Sequence, residues 1–216
     1  MDMLMSDKTK MQTVRATAGD RKGRAIRALP IGPFSFEPKR PVDTQVYEHL
    51  RRIVASGAVA PGQKFSTRAL AEAFSLSATP TRVALKRLAA EGVLVGRPRS
   101  GFQVAPASAA AYRELLAIRL RLEGLAAKEA ATRIVPASLR AVETFHRMIA
   151  ARPPTNASYL ELNFALHFEI YHAAEMPRLL DIIEPLWARI GPFLNHAAKL
   201  QDFDVAVANH QRIIDA

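Results

Sequence analysis

The sequence contains no cysteine among its 216 residues. This absence excludes disulfide bonds, a catalytic thiolate and cysteine-ligated zinc. No apolar stretch approaches the roughly 20 residues that a membrane-spanning helix needs. The N-terminus lacks the apolar segment of a secretory signal, and no internal repeat is present. We therefore expect a folded protein that works in a reducing cytoplasm.

Lysine and arginine exceed aspartate and glutamate by ten, and the whole excess lies in the first half of the chain. Residues 1–40 contain nine basic and four acidic residues, and residues 41–104 contain the same numbers. Residues 105–216 contain twelve of each. A generally basic protein would spread its excess along the chain. A basic segment joined to a neutral one instead indicates a module that binds phosphates, attached to a second domain.

The pattern of apolar and turn-forming residues predicts a mainly α-helical protein in three parts. Residues 1–40 show no helical or strand period and predict a flexible basic tail, which either adds nonspecific DNA affinity or has no detectable role. Residues 41–105 predict a winged helix-turn-helix domain. Residues 111–216 predict an all-helical bundle of five or six helices, with breaks at Pro136, at residues 152–156, at Pro177 and near Gly191-Pro192.

The run from Pro61 to Val104 carries the helix-turn-helix pattern. Two short helices with apolar stripes are joined by a polar turn, and Gly92 ends the second of them. Two β-prone pieces then flank the segment GRPRSG and predict a basic hairpin, the wing. A domain of this kind places its last helix in the major groove, so double-stranded DNA is the expected partner.

The residues predicted to contact DNA are polar or basic and lie off the apolar faces of these elements. The set is Lys64, Arg68, Ser77, Thr79, Thr81, Arg82, Lys86, Arg97 and Arg99. Arg82 is the candidate for a base edge, because its planar fork matches guanine O6 and N7. The other basic side chains suit phosphates, with the two wing arginines also able to reach the minor groove. The serine and threonines lie at the helix end that points into the groove.

Two pairs of polar residues, each four positions apart, mark the helical half. Asn163 and His167 share a helix face, which is the spacing that two ligands of one metal ion need; the alternative is a histidine satisfied within the core. Arg119 and Glu123 form the other pair. In a cavity Arg119 would hold a carboxylate, whereas at the surface the pair would be an ordinary intrahelical ion pair. His210 lies on a later predicted helix.

Several motifs of the chain resemble those of a known family. PGQKFSTRALA, SLSATPTRVALKRLAAEG and the glycine-flanked wing resemble the DNA-binding domain of GntR-type bacterial regulators. YRELLAIRLRLEGLAAKEAA, LNFALHFEIYHAA and NHQRIIDA resemble the helical effector domain, FCD, of its FadR subgroup. The resemblance covers residues 42–216. The chain departs from it at Ala78, where the family usually has arginine, and at Val83, where it usually has glutamate, so altered operator contacts are expected.

The resemblance also implies partners. It implies a homodimeric repressor that a small carboxylate metabolite releases from its DNA operator, with Arg119 among the effector contacts. It further implies a divalent metal ion of the Zn, Ni or Mn class at Asn163, His167 and His210. The family's fourth metal ligand would fall beyond Ala216, so either the sequence is a truncated form or its last helix is missing and the metal site is incomplete.

We therefore expect a ligand-responsive DNA-binding regulator and not an enzyme. Two other interpretations stay open. The effector domain could serve only as a dimerisation scaffold. More remotely, the chain could be a metal-dependent hydrolase or lyase that uses His167 and His210. However, no general base with a convincing partner accompanies these histidines, and an enzyme would leave the basic charge of the first half unexplained.

Overall fold

The computed structural model describes residues 34–97, 101–106, 108–153, 155–197 and 203–216. The first part of the chain contains, in order, α1 Val42–Ala55, β1 Lys64–Phe65, α2 Thr67–Ala73, α3 Ala78–Ala90, β2 Leu94–Arg97 and β3 Gly101–Val104. In the second part, the described residues form α4 Ala109–Arg133, α5 Pro136–Ala150, α6 Asn156–Ala173, α7 Pro177–Ala197 and α8 Phe203–Asp215. The predicted mainly α-helical fold with a winged helix-turn-helix is confirmed. None of these described helices has both the length and the apolar composition of a membrane span.

Local signals in the sequence form the helix-turn-helix. The hydroxyl oxygen of Ser66 accepts a hydrogen bond from the backbone N–H of Ala69 at 3.3 Å and so caps α2. Ser75 adopts a positive φ of 56°, which turns the chain between α2 and α3. The wing is an antiparallel sheet in the order β1-β3-β2, with Lys64 opposite Gln103. The sheet thus brings the start of the domain beside its hairpin.

One apolar cluster runs through both domains. On α1, the buried side chains include Leu50 and Val54, and this helix contacts both α3 and α7. In the helical half, Ile183 and Trp187 belong to the same cluster. Burial of apolar surface is the main favourable term in folding. The two domains are therefore joined by a shared core as well as by the chain between β3 and α4.

The boundary predicted for the N-terminal tail is wrong, because residues 34–40 are fixed against the DNA-binding domain. Gln45 is 3% exposed; its Oε1 accepts from the backbone N–H of Glu37 at 2.8 Å, and its Nε2 donates to the carbonyls of Glu37 and Arg40. The ring of Phe34 lies 4.4 Å from that of His49, centre to centre. Residues 1–33 lie outside the described residues, so flexibility there stays a prediction.

The break predicted near Gly191-Pro192 is also wrong, since α7 continues through both residues to Ala197. Proline at position 192 removes one intrahelical hydrogen bond. Both residues are buried, and Gly191 packs directly on α1. A Cβ at Gly191 would lie 2.8 Å from the carbonyl oxygen of Ala55 and closer still to that of Val54. Close packing between the domains thus offsets the local breaking signal.

Candidate DNA-reading helix and effector cavity

The helix α3 has one exposed and one buried stripe. The exposed side chains include Thr79, Arg82, Val83 and Lys86. The buried side chains are Thr81, Ala84, Leu85 and Leu88. Among the described residues, neither Arg82 nor Lys86 forms an ion pair, so both cations are free to meet phosphates or bases. The exposed stripe therefore has the composition of a DNA-reading surface.

The prediction that Thr81 contacts DNA is wrong. Its side chain is 0% exposed, and its hydroxyl oxygen has no hydrogen-bond partner among the described residues. Helical geometry explains the error, because residues 81, 84, 85 and 88 share one face and that face packs on the core. Val83, which is 45% exposed, takes a place on the outer face instead.

The other predicted DNA contacts lie on the surface. Ser77 is the N-cap of α3, with its side chain exposed and making no cap hydrogen bond. Arg68 is exposed and donates from Nε to Glu72 Oε1 at 2.8 Å. Lys64 on β1 and Arg97 at the end of β2 are both exposed, whereas Arg99 lies outside the described residues. These positions permit contact with DNA, and the contact roles stay predictions.

A cavity of about 240 Å³ lies among α4, α6, α7 and α8. Its lining includes four of the five residues singled out in the helical half: Arg119, Asn163, His167 and His210. The remaining wall combines aromatic, aliphatic and amide side chains, namely Tyr159, Leu160, Trp187, Leu194, Ala206, Asn209 and Ile213. A concave, mostly apolar space with a few convergent polar groups is typical of a small-molecule site.

Arg119 is held in place on two sides. Its Nε donates to Glu123 Oε1 at 2.5 Å, and its Nη2 donates to Oε2 at 3.2 Å. Its guanidinium lies 4.5 Å from the ring centre of Trp187. Tyr171 donates its hydroxyl proton to Glu123 Oε2 at 2.8 Å, and burial beside that carboxylate raises the pKa of Tyr171 well above its usual value. Glu123, Trp187 and Tyr171 thus fix the Arg119 guanidinium at the cavity wall.

The two cavity histidines are uncharged at neutral pH. Burial, then the charges of His210 and Arg119, lower the pKa of His167 to about 3. Burial and His146 lower the pKa of His210 to about 4. The rings of His167 and His210 lie 5.4 Å apart, centre to centre. The Nδ1 of His210 is buried without a hydrogen-bond partner among the described residues.

Comparison with known proteins decides the family. Residues 43–104 match the family described as "Bacterial regulatory proteins, gntR family", and residues 114–216 match the FCD domain. The chain is 31% identical over 154 residues to the HTH-type transcriptional regulator McbR of Escherichia coli K12, covering 70% of each protein. The chain belongs to the GntR family.

A second relative and a solved structure support the assignment of this GntR protein as a transcriptional regulator. It is 30% identical over 157 residues to the HTH-type transcriptional repressor RspR of Escherichia coli K12, covering 72% of this chain and 69% of RspR. The solved structure of E. coli McbR/YncC superimposes with a TM-score of 0.69 at 26% identity, over 82% of this chain and 94% of that one. The chain is thus a DNA-binding transcriptional regulator with an FCD effector domain. Its domains and relatives are those of regulators and not of enzymes.

The described residues do not fit a divalent metal ion in this GntR protein. They contain no group of three or more histidine, aspartate or glutamate side chains that could hold one. The predicted donors are one amide and two imidazoles, and the nearest carboxylate, Glu123, already binds Arg119 and Tyr171. The Arg119 guanidinium adds positive charge to the same wall. A dication at this place would meet a guanidinium and no free carboxylate among the described residues.

Some residues in and around the cavity have no signal in the sequence. Trp187 and Tyr171 stand in apolar helix stripes and read as ordinary core residues. His146 on α5 lies 6.5 Å from His210 on α8, ring centre to ring centre, although 64 positions separate them. Only the packing of α5 on α8 brings them together, and no local spacing predicts that packing.

Proposed function

We propose that this regulator is a homodimeric repressor that a small monocarboxylate metabolite releases from its operator. The observation that carries the proposal is the cavity in the effector domain, where a fixed arginine lies beside a mostly apolar wall. RspR, a relative at 30% identity, is a transcriptional repressor. The DNA it occupies would lie in the cytoplasm.

The charge of the cavity supports an effector with one carboxylate. Two nitrogens of Arg119 donate to Glu123, which leaves Nη1 for a ligand oxygen. His167 and His210 are neutral, so the wall offers no second cation. A carboxylate accepting from Nη1 would place an apolar body against Leu160, Leu194 and Ile213. A diacid would bring an unpaired charge into the cavity.

Ligand-dependent stabilisation tests this effector class. Thermal unfolding with a series of small monocarboxylates should show one that stabilises the protein, by about 2.7 kcal/mol at a hundredfold excess over Kd, while its amide analogue does not. The double variant Arg119→Gln/Glu123→Gln keeps the wall neutral and should abolish the effect. Arg121→Gln, an exposed arginine on the same helix, is the matched control and should retain it.

One observation favours the alternative that the effector domain is only a scaffold. Glu123 already accepts hydrogen bonds from two nitrogens of the Arg119 guanidinium, so this arginine has a structural role in an ion pair. A scaffold would show no stabilisation by any carboxylate or amide in the series and no ligand effect on operator affinity. A ligand that stabilises wild type and the double variant equally would place the effector elsewhere.

Exposed apolar side chains on α4 support a homodimer. Ile118 and Leu125 are 40% and 41% exposed and lie seven positions apart, on the same side of the helix. A Cβ at Gly124 would meet no atom within 4 Å, so a second copy could approach there closely. Leu125→Glu should produce a monomer in sedimentation equilibrium. Met148→Glu, an equally exposed apolar position on α5, should leave the dimer intact.

The exposed stripe of α3 supports distinct roles for its two cations. Arg82 is proposed to read a base edge and Lys86 to bind a phosphate. On an operator selected from random duplexes, Arg82→Ala should lower discrimination against random DNA, at a cost of about 1–3 kcal/mol. Lys86→Ala should weaken both duplexes alike and reduce the salt slope by about one. If Arg82→Ala weakens both duplexes equally, Arg82 is a phosphate contact.

A further inference from the structure

Helix α7 of the effector domain is bound to the DNA-binding domain by polar groups as well as by packing. Glu184 of α7 forms an ion pair with Arg51 of α1, and both side chains are largely buried. Farther along, Gly191 packs on the carbonyl oxygens at the end of α1. The Nε of Arg189 lies 3.8 Å from where a Cβ of Gly92, just after α3, would be. These contacts fix α1 on α7.

Arg51 also connects α1 to the recognition helix α3. Arg51 Nη1 donates to the hydroxyl of Tyr47 at 2.9 Å, and that hydroxyl donates to Glu91 Oε1 at 2.7 Å. Glu91 is the C-cap of α3. The guanidinium of Arg87 lies 3.7 Å above the centre of the Tyr47 ring. Burial and Glu91 raise the pKa of Tyr47 to about 12, so its hydroxyl keeps the proton it donates.

We propose that the chain of contacts Glu184–Arg51–Tyr47–Glu91, here called the interdomain clamp, determines which operator half-site spacing the dimer accepts. It links the effector domain to the end of the helix that reads DNA. In a dimer joined through α4, the distance between the two recognition helices depends on how each α3 is held against its own effector domain. The inference rests on the proposed homodimer.

Operators with altered spacers test the clamp without any effector. A selected operator is compared with versions one and two base pairs longer or shorter and with a single half-site. Wild type should prefer one spacing. Arg51→Met should keep its affinity for the single half-site but lose at least about fivefold of the spacing preference. Arg52→Met, at the neighbouring exposed arginine, is the matched control and should behave as wild type.

A double-mutant cycle completes the test. If Arg51 and Glu184 act as one unit, Arg51→Met/Glu184→Gln should lose no more spacing preference than either single change. Unchanged spacing preference in Arg51→Met would overturn the clamp but leave the dimer intact. Equal weakening on every spacing and on the half-site would also overturn it. A wild type without any spacing preference would contradict the proposed dimer itself.

A second inference concerns Val83 and stands on a different observation. This side chain is 45% exposed on the outer face of α3, next to Arg82 and within one turn of Lys86. An isolated exposed valine is ordinary. Here, however, its neighbours are cations that would be desolvated unfavourably against an apolar protein partner, whereas DNA offers both phosphates and an apolar group.

We infer that Val83 contacts the C5-methyl group of a thymine in the major groove. That methyl is the one apolar feature on the groove edges of the four bases, and it is read by apolar side chains. Of its neighbours on the helix, Arg82 would contact an adjacent base and Lys86 would bind a phosphate of the DNA backbone. The contact would give this chain a thymine preference at one operator position.

Replacing operator thymines one at a time by deoxyuridine removes that methyl and nothing else. Wild type should lose about fourfold in affinity at one position, the effect of one buried methyl group. Val83→Ala should bind both versions of that duplex equally. Val95→Ala, at a valine of similar exposure on β2, should keep the full difference. The inference fails if no thymine is sensitive in wild type, or if Val83→Ala remains as sensitive as wild type.

Discussion

Replacing Thr81 by valine should stabilise the protein. The hydroxyl oxygen of Thr81 is buried and has no hydrogen-bond partner among the described residues. Leaving such a group unpaired costs about 1–3 kcal/mol. Valine puts a methyl group in the same space, so it creates no cavity, and the two residues have similar helix propensities. We therefore expect Thr81→Val to raise the free energy of unfolding by about 1–2 kcal/mol.

Urea unfolding followed by circular dichroism measures this change, and binding to a selected operator is measured in parallel. In Thr81→Val the urea midpoint should rise with an unchanged slope, and operator affinity should stay within twofold of wild type, about 0.4 kcal/mol. Thr79→Val is the matched control on the same helix. Its exposed side chain should leave stability within about 0.5 kcal/mol. Loss of DNA affinity in Thr81→Val without a gain in stability would refute the reasoning, because it would mean that Thr81 reaches DNA.

Acidification should destabilise the protein: His167 and His210 have folded pKa values of about 3 and 4, below the unfolded value of about 6.5, so the unfolded state binds protons first. Stability is then complete above pH 6.5 and falls by roughly 2 kcal/mol per histidine by pH 5, and urea titrations should show a shallower fall in His210→Asn. Gly191→Ala should lower the free energy of unfolding by about 1–3 kcal/mol, because its methyl group would meet the carbonyl oxygens at the end of α1. Gly96→Ala on β2, whose Cβ would lie 4.0 Å from the Phe102 ring, is the control and should cost less. Zn, Ni or Mn ions should not raise the melting temperature of chelator-treated protein; a clear rise would show that ligands outside the described residues complete a metal site.

The periodicity of apolar residues was sufficient to predict the helices in which these residues repeat at helical spacing. Val46, Leu50 and Val54 repeat at helical spacing, and all three are buried on α1. The glycine-flanked basic segment predicts the hairpin of β2 and β3 because turn chemistry is local. In the helical half, the four-residue spacing of Asn163 and His167 placed both on the same wall of the cavity, since that spacing is itself helix geometry.

Periodicity failed where distant packing overrides a local rule. Gly191-Pro192 signals a helix end, yet α1 covers those residues and the helix continues. The segment before α1 has no period of its own, and Gln45 fixes it through backbone hydrogen bonds that composition does not encode. The neighbours of a side chain across the core are set by how helices pack, so His146 beside His210 has no sequence signal.

Two positions of α3 reverse the usual rule of apolar inside and polar outside. Thr81 is buried with an unpaired hydroxyl, while Val83, two residues later, is 45% exposed. The buried hydroxyl costs stability because it lacks its partner, whereas the exposed valine gains no stability from burial. Departures of this kind are expected at functional sites, where binding compensates for them. For Val83 the compensation is contact with DNA; for Thr81 no ligand is within reach, which is why its substitution should yield stability without loss of binding.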